Sequence, residues 1–322
     1  MVRKVPALSV VIPVYNSAEI LPALVARLHA ILQTCAERFE VVMVNDASHD
    51  ASWRVLLELR QRYHGMRVID LMRNCGQHNA LLCGIRAARH DIIVTIDDDL
   101  QNPPEEIPQL LDALDDDVDV VYGAPRHEVH GLWRDAASQV TKIALQGALG
   151  AKTARMVGPF RAFRTDLRRA FERYDGAFVN IDVLLTWGTA RFKAIRVRHD
   201  ERTTGRSNYT VGRLFTHSLN MLTGFTTAPL QWASVVGFGV TLFGVALFLF
   251  VMLRFALRGA TIPGFAFLAS VSLIFSGAQL VTLGIMGEYL ARIHFRLMQR
   301  PCYTVRCDDE AAGAGHTRMV RP

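Results

Sequence analysis

Ile92–Pro104 reads IIVTIDDDLQNPP, and the rest of the chain is understood outward from it. A β-branched apolar run, Ile92-Ile93-Val94-Thr95-Ile96, stops abruptly at three carboxylates, Asp97, Asp98 and Asp99. A buried strand ending this way sets its acids at the carboxyl edge of a sheet, where open α/β folds bind ligands. Extended geometry alternates side chains, so Asp97 and Asp99 are predicted to point to one side. Three neighbouring anions repel one another unless a cation lies among them. Hard oxygen donors suit Mg²⁺ or Mn²⁺ holding a diphosphate. Asp115, Asp116 and Asp117 serve as a control: with no apolar strand before them, they are expected to form a solvated surface run.

On either side of this stretch, strand and helix patterns alternate over the first 125 residues. Leu8–Val14, Phe39–Val44, Met66–Leu71, Ile92–Ile96 and Val118–Tyr122 read as strands. Ala18–Leu32, Ala51–Tyr63, Gly76–Ala88 and Pro104–Leu114 read as helices, with Asp50 placed to cap the second. The alternation predicts a doubly wound, mostly parallel sheet with helices on both faces. No GxGxxG follows the first strand and no GxxxxGK[ST] occurs, so the common dinucleotide and P-loop cradles are excluded. A nucleotide would have to be held by other loops and a metal. Tyr15, Asp46 and Asp97–Asp99 end the first, second and fourth strands, where such a ligand would lie.

Beyond Tyr122 the pattern changes. Gly131–Leu149 carries Arg134, Ser138 and Lys142 on one helical face, as a basic helix at a membrane surface would. Phe160–Phe163 and Phe192–Val197 read as further strands. Asp200–Tyr209 (DERTTGRSNY) is a polar, glycine-hinged loop offering Arg202 and Arg206 to phosphate.

Half of the 322 residues are hydrophobic, and the excess is concentrated. Leu214–Leu253 and Gly259–Gly287 contain no Asp, Glu, Lys or Arg. Each window can hold a span of about 20 apolar residues, enough to cross about 30 Å of hydrocarbon. Two membrane helices are predicted, Trp232–Leu253 and Pro263–Gly284. Arginines flanking the pair (Arg213, Arg292, Arg296, Arg300) against Arg254 and Arg258 between them favour both termini on the cytoplasmic side of an inner membrane. Met1–Pro6 has no apolar signal segment, which agrees with a cytoplasmic front domain. The expected organisation is an α/β domain at 1–210, a juxtamembrane amphipathic helix at 211–228, a two-helix membrane hairpin at 229–291, and a cytoplasmic tail at 292–322, disordered after Cys307. Five cysteines at irregular spacing suit a reduced compartment. The net charge of +6, carried by arginine, suits phosphate or anionic lipid, and no nucleic-acid motif is present.

With SVVIPVYN, VNDAS, MRNCGQHNAL, TIDDDLQNPPEEIP, FRAF and RTTGRSNY in hand, the chain resembles the lipid-carrier branch of glycosyltransferase family 2. The likeness is strongest to undecaprenyl-phosphate aminoarabinose (formamido-arabinose) transferases. Bactoprenol glucosyltransferases and dolichol-phosphate mannose synthases are more distant. The resemblance implies a GT-A fold and inverting transfer of a sugar from a nucleotide-diphosphate donor, a UDP-sugar, to polyprenyl phosphate at the bilayer. It implies metal ligation by Asp99 and Gln101, with Mg²⁺ or Mn²⁺. It assigns donor contacts to Pro13, Tyr15, Asp46, Gln77, Asp97, Asp98, Arg202 and Arg206, and the lipid phosphate to Arg126, Arg134 and Ser138. The chemistry is then expected to rest on Asp97, Asp99, Arg126, Arg134, Ser138 and Arg202. Some such enzymes are homo-oligomers, including tetramers. Three positions depart from the pattern: Ser17 replaces Glu, Asn208 replaces Lys, and ARMVGP before FRAF lacks an Asp. The rival readings are a non-catalytic, membrane-anchored nucleotide-sugar-binding scaffold and a processive polysaccharide synthase; the chain lacks the Q-xx-RW motif expected of the latter.

Overall fold

The structure is a computed structural model describing residues 4–125, 157–176, 179–200, 228–258, 264–298 and 301–310. It divides into two compact units, Met1–Val211 with Arg300–Pro322, and Gly212–Gln299.

The first unit is built on an eight-stranded sheet. In chain order its strands are β1 (Val5–Val14), β2 (Ala36–Asn45), β3 (Met66–Leu71), β4 (Ile92–Thr95), β5 (Val120–Pro125), β6 (Arg161–Arg164), β7 (Phe192–Val197) and β8 (Val305–Glu310). The order across the sheet is β7-β5-β6-β4-β1-β2-β3-β8. The pairs β1–β2, β2–β3, β1–β4 and β5–β7 are parallel, as expected from helical crossovers. β6 lies antiparallel between β4 and β5, and β8 lies antiparallel on β3. The chain runs outward from β1 to β3, then returns to lay β4 on the other side of β1. That reversal between β1 and β4 opens a crevice at their carboxyl ends, the usual ligand position in such sheets.

The crossover helices are α1 (Leu21–Cys35), α2 (Ser52–Arg62), α3 (Gln77–Ala87) and α4 (Ile107–Ala113), with α5 (Ile181–Thr186) after β6. Strand alternation divides the core. Val10, Ile12 and Val94 face the side covered by Leu24, Leu28 and Ile107, whereas Val11, Val44 and Ile93 face Leu81, Leu82 and Ile85 of α3. The helix boundaries differ from the apolar periodicity where turns intervene. Residues 17–20 form a turn, Ile20 N–H donating to Ser17 O at 3.0 Å, and α1 begins only at Leu21 with Pro22 in its first turn. Asp50 is not the residue flanking α2. Ala51 is, and Asp50 instead accepts from Ser52 N–H at 2.9 Å and Ala18 N–H at 3.1 Å, tying two loops together.

The segment expected to be a disordered tail after Cys307 holds part of β8, so this expectation is corrected for Asp308–Glu310. Its acids match arginines of the first unit: Arg67 grips Asp308 with two hydrogen bonds of 2.9 and 2.6 Å, and Arg60 pairs with Asp309. The second unit contains two long helices, α6 (Ala228–Arg258, 31 residues) and α7 (Phe265–Leu297, 33 residues). Among the described residues, no helix is long and apolar enough to cross a membrane. The expected helices at 131–149 and 211–228 fall outside the described residues, apart from residue 228.

Candidate active site

Four loops meet at the carboxyl edge of β4-β1-β2-β3, and each contains a residue in the left-handed region: Asn16 (φ 54°), Ala47 (φ 51°), Gly76 (φ 90°) and Leu100 (φ 60°). For Asn16, Ala47 and Leu100, which carry side chains, this conformation is unfavourable, and such strain gathers where a loop is shaped for a ligand.

The acidic triad lies on one wall of the crevice. β4 ends at Thr95, so strand alternation does not govern the three aspartates, and each is held separately. Asp97 Oδ1 accepts from Gln77 Nε2 at 2.6 Å, at the start of α3. Asp98 Oδ2 accepts from Tyr15 N–H at 3.1 Å and from the Ser17 hydroxyl, which bridges the β1–β4 crevice. Asp99 Oδ1 accepts from Gln101 N–H at 3.1 Å. Burial, and then the charges of Asp99 and Asp98, push the Asp97 carboxyl up to about 7, with Arg161 and Gln77 opposing. Burial also raises Asp98, against the hydrogen bonds from Ser17 and Tyr15. This crowding of anionic oxygen is what a divalent cation relieves, and the donor set therefore fits Mg²⁺ or Mn²⁺. Among the described residues, no group of three or more His, Cys, Asp and Glu side chains is placed so that it could hold a metal ion.

The remaining expected donor residues divide into two groups. Pro13 is buried in β1, and Tyr15 stands exposed beside His49, ring centroids 6.3 Å apart in an edge-on arrangement. Asp46 is buried, and its two oxygens accept from Cys75 N–H at 2.7 Å and Gly76 N–H at 2.8 Å. Its carboxylate thus shapes the loop leading into α3, a role the sequence did not suggest; burial raises its pKa despite those two donors. Arg126, Arg134, Ser138, Arg202 and Arg206 lie outside the described residues.

A buried ion pair beneath the triad was not anticipated. Arg161 in β6 donates to Thr95 Oγ1 at 2.9 Å and pairs with Asp182 in the first turn of α5. Thr95 Oγ1 in turn donates to Pro159 O at 2.7 Å. The pair fastens the end of β4 to β6 and α5. The available signal was an arginine within the otherwise apolar FRAF strand, which needs a buried acid. The control run behaves as a surface feature: Asp116 is fully exposed, and Asp115 pairs with Lys193 at 3.4 Å.

The model of the family described as Glycosyl transferase family 2 matches residues 9–171, just over half the chain. The chain belongs to this family. The undecaprenyl-phosphate 4-deoxy-4-formamido-L-arabinose transferase of Shewanella sediminis (strain HAW-EB3) is 35% identical over 309 residues, 94% of this chain and 93% of that protein. The protein of the same description from Pseudomonas paraeruginosa (strain DSM 24068 / PA7) is 37% identical over 304 residues, covering 92% and 88%. Among solved structures, glucosyl-3-phosphoglycerate synthase from Mycobacterium tuberculosis with Mn²⁺, UDP and glucosyl-3-phosphoglycerate aligns with a TM-score of 0.51 at 16% identity, over 68% of this chain and 78% of that one. Mannosyl-3-phosphoglycerate synthase from Rubrobacter xylanophilus aligns with a TM-score of 0.52 at 17% identity, over 68% and 73%. At these identities the two structures establish the fold, a family 2 GT-A sheet, and nothing finer.

Proposed function

We propose that this family 2 enzyme transfers a sugar from a UDP-sugar to a polyprenyl phosphate at the cytoplasmic face of a membrane, with inversion at the anomeric carbon. The observation that carries the reading is the triad Asp97–Asp99, clamped by Gln77, Ser17 and the Tyr15 amide at the crevice between β1 and β4. The relatives at 35–37% identity, named for transfer to undecaprenyl phosphate, support the acceptor.

Asp99 and Gln101 would hold Mg²⁺ or Mn²⁺, completed by diphosphate and water oxygens, while Asp97 faces the donor. When bound, the cation supplies charge neutralisation for the departing diphosphate. The chain's own residues do the positioning. Gln77 orients Asp97, Ser17 and the Tyr15 amide fix Asp98, and exposed Tyr15 offers a face to a base. Arg202 and Arg206 would meet the diphosphate. Arg126, Arg134 and Ser138 would align the acceptor, since arginine's planar fork matches phosphate oxygens. A phosphate monoester is already anionic near neutrality, so its attack requires no general base. Alignment converts encounter into positioned reaction.

The acceptor's hydrocarbon chain keeps the reaction at the bilayer, because each buried CH₂ is worth about 0.8 kcal/mol. No described helix is by itself long and apolar enough to cross a membrane, so the spans are proposed on the sequence, in which Leu214–Leu253 and Gly259–Gly287 hold no Asp, Glu, Lys or Arg. Of the described exposed large apolar side chains, all but Tyr15, Met72 and Trp187 lie on α6 and α7 or at Met298 just beyond them. That concentration favours lipid as their surroundings. We read them as the two spans of an inner-membrane protein with cytoplasmic termini, assembled as a homo-oligomer.

The test incubates membranes containing the enzyme with radiolabelled UDP-sugars and polyprenyl phosphate, with and without EDTA. Label extracted into organic solvent, lost on chelation or in Asp99→Asn, is expected. Extractable label that survives both treatments would remove the metal site from the reaction, and no label with any UDP-sugar would overturn the donor assignment.

A further inference from the structure

The donor cleft is also gripped from the far end of the chain. After α7, the polypeptide returns to the catalytic sheet as β8, whose Arg306 reaches two points on the carboxyl edge. Its Nη1 lies 3.2 Å from Asp70 Oδ2, and its Nη2 donates to Met72 O at 3.2 Å. The same edge receives a backbone contact, Met72 N–H donating to Thr304 O at 2.9 Å.

We propose that Arg306 is a positioning residue for the donor cleft, clipping the ends of β2 and β3 so that the following loops present Asp46 and Gln77 in register. The inference rests on reading the cleft as a nucleotide site. Asp70 is only 3% exposed, and its other oxygen accepts from Asn45 Nδ2 at 2.7 Å. Asn45 is the last residue of β2, and Asp46 follows it directly. Asp46 in turn receives the Cys75 and Gly76 amides, and Gly76 precedes Gln77, the donor to Asp97. One guanidinium therefore holds both strand ends from which these two loops depart. The loop needs such a hold: Met72, Arg73 and Asn74 are exposed, and Gly76 is left-handed. With few apolar contacts, its shape depends on hydrogen bonds to its backbone.

An exposed ion pair alone would contribute little. This one is anchored in a buried carboxylate and a main-chain carbonyl, so its loss leaves Asp70 buried with a weaker partner set. Asp308 supplies the contrast. It fastens β8 to Arg67, three residues before Asp70, and has no bond to either loop.

The experiment uses the full-length protein in detergent with Mn²⁺, titrating UDP by calorimetry and following hydrogen exchange at residues 72–77. Arg306→Ala is expected to raise the Kd for UDP about 5- to 10-fold and to speed exchange in that segment. Arg306→Lys keeps charge against Asp70 but loses the second arm, and should fall between. Asp308→Asn should lower Tm yet leave UDP affinity and exchange at 72–77 unchanged. If wild type binds UDP and Arg306→Ala binds it equally well, the clip is overturned. Equal weakening by Asp308→Asn also overturns it, reducing Arg306 to a contributor to edge stability. If wild type fails to bind UDP, the nucleotide reading falls, and the donor role of Arg306 with it.

Discussion

At the residue scale, the cleft is organised by short polar side chains that fix carboxylates rather than by a glycine-rich cradle. Ser17 illustrates this. It departs from the family's usual glutamate, and in this chain its hydroxyl donates to Asp98 while its own amide N–H donates to the Ser52 hydroxyl oxygen at 2.9 Å. A glutamate there would set a fourth carboxylate against the triad, whereas the hydroxyl donates to it. Gln77 does the same for Asp97 from the first turn of α3. A hydrogen bond to a charged group is worth about 1.5–3 kcal/mol, so Gln77→Ala should lower kcat/KM for the nucleotide sugar about 10-fold or more. Gln77 is exposed, so Tm should remain within about 2 °C of wild type, surface substitutions having small effects on stability. Gln77→Glu, which sets like charge against Asp97, should be worse than Gln77→Ala in the same assay. Equal activity of all three proteins would separate Gln77 from the donor site.

At the element scale, α3 carries the cleft's precision because it lies directly on the sheet. Gly84 permits this approach: a Cβ there would lie 2.3 Å from Val11 Cγ1 and 3.1 Å from Val44 Cγ2. β1 and β2 are thus in contact with the helix whose first residue binds Asp97. Gly84→Ala forces α3 outward and should destabilise the catalytic unit by about 1–3 kcal/mol, the usual range for overpacking. Because the displacement reaches Gln77, activity should fall at temperatures well below Tm. Melting curves together with initial rates check both effects, and a variant with lowered Tm but full activity at low temperature would show that α3 shifts without moving its first turn. β6 is the other decisive element. Inserted antiparallel between β4 and β5, it supplies Arg161, which with Asp182 and Thr95 fixes the strand end from which the triad departs.

At the scale of the whole molecule, the catalytic unit is made from two separated pieces of chain, with the two long helices encoded between them. A fragment ending at residue 211 would lack β8 and leave the β3 edge, with Val68, Ile69 and Leu71 beside it, unpaired. It would also strand Arg60 and Arg67 without their acids. Exposed apolar edges promote association between chains. The 1–211 fragment should therefore aggregate, whereas 1–211 joined by a flexible linker to 300–322 should elute as a discrete species in size-exclusion chromatography. Equal behaviour of the two would make β8 dispensable for the sheet.

Much of this was legible in the amino-acid order because local patterns carry it. Uninterrupted apolar runs ending in turn or acidic residues disclosed β1 to β4, and the alternation of strand and helix disclosed the parallel winding. IDDDLQNPP marked the triad, since consecutive acids after a buried strand have few structural uses. Other features depend on partners distant in sequence. VRCDDE has the composition of a solvated tail until Arg67 and Arg60 stand opposite its acids. Asp46 and Asp98 look like ligand contacts until the fold brings backbone amides to them from residues 75, 76 and 15. Local pattern determined that β1 to β7 would be strands and which edge would carry charge. Only the tertiary structure decided which carboxylate each loop would capture, because a hydrogen bond between residues 30 to 241 positions apart is specified by where the sheet brings them, not by either neighbourhood.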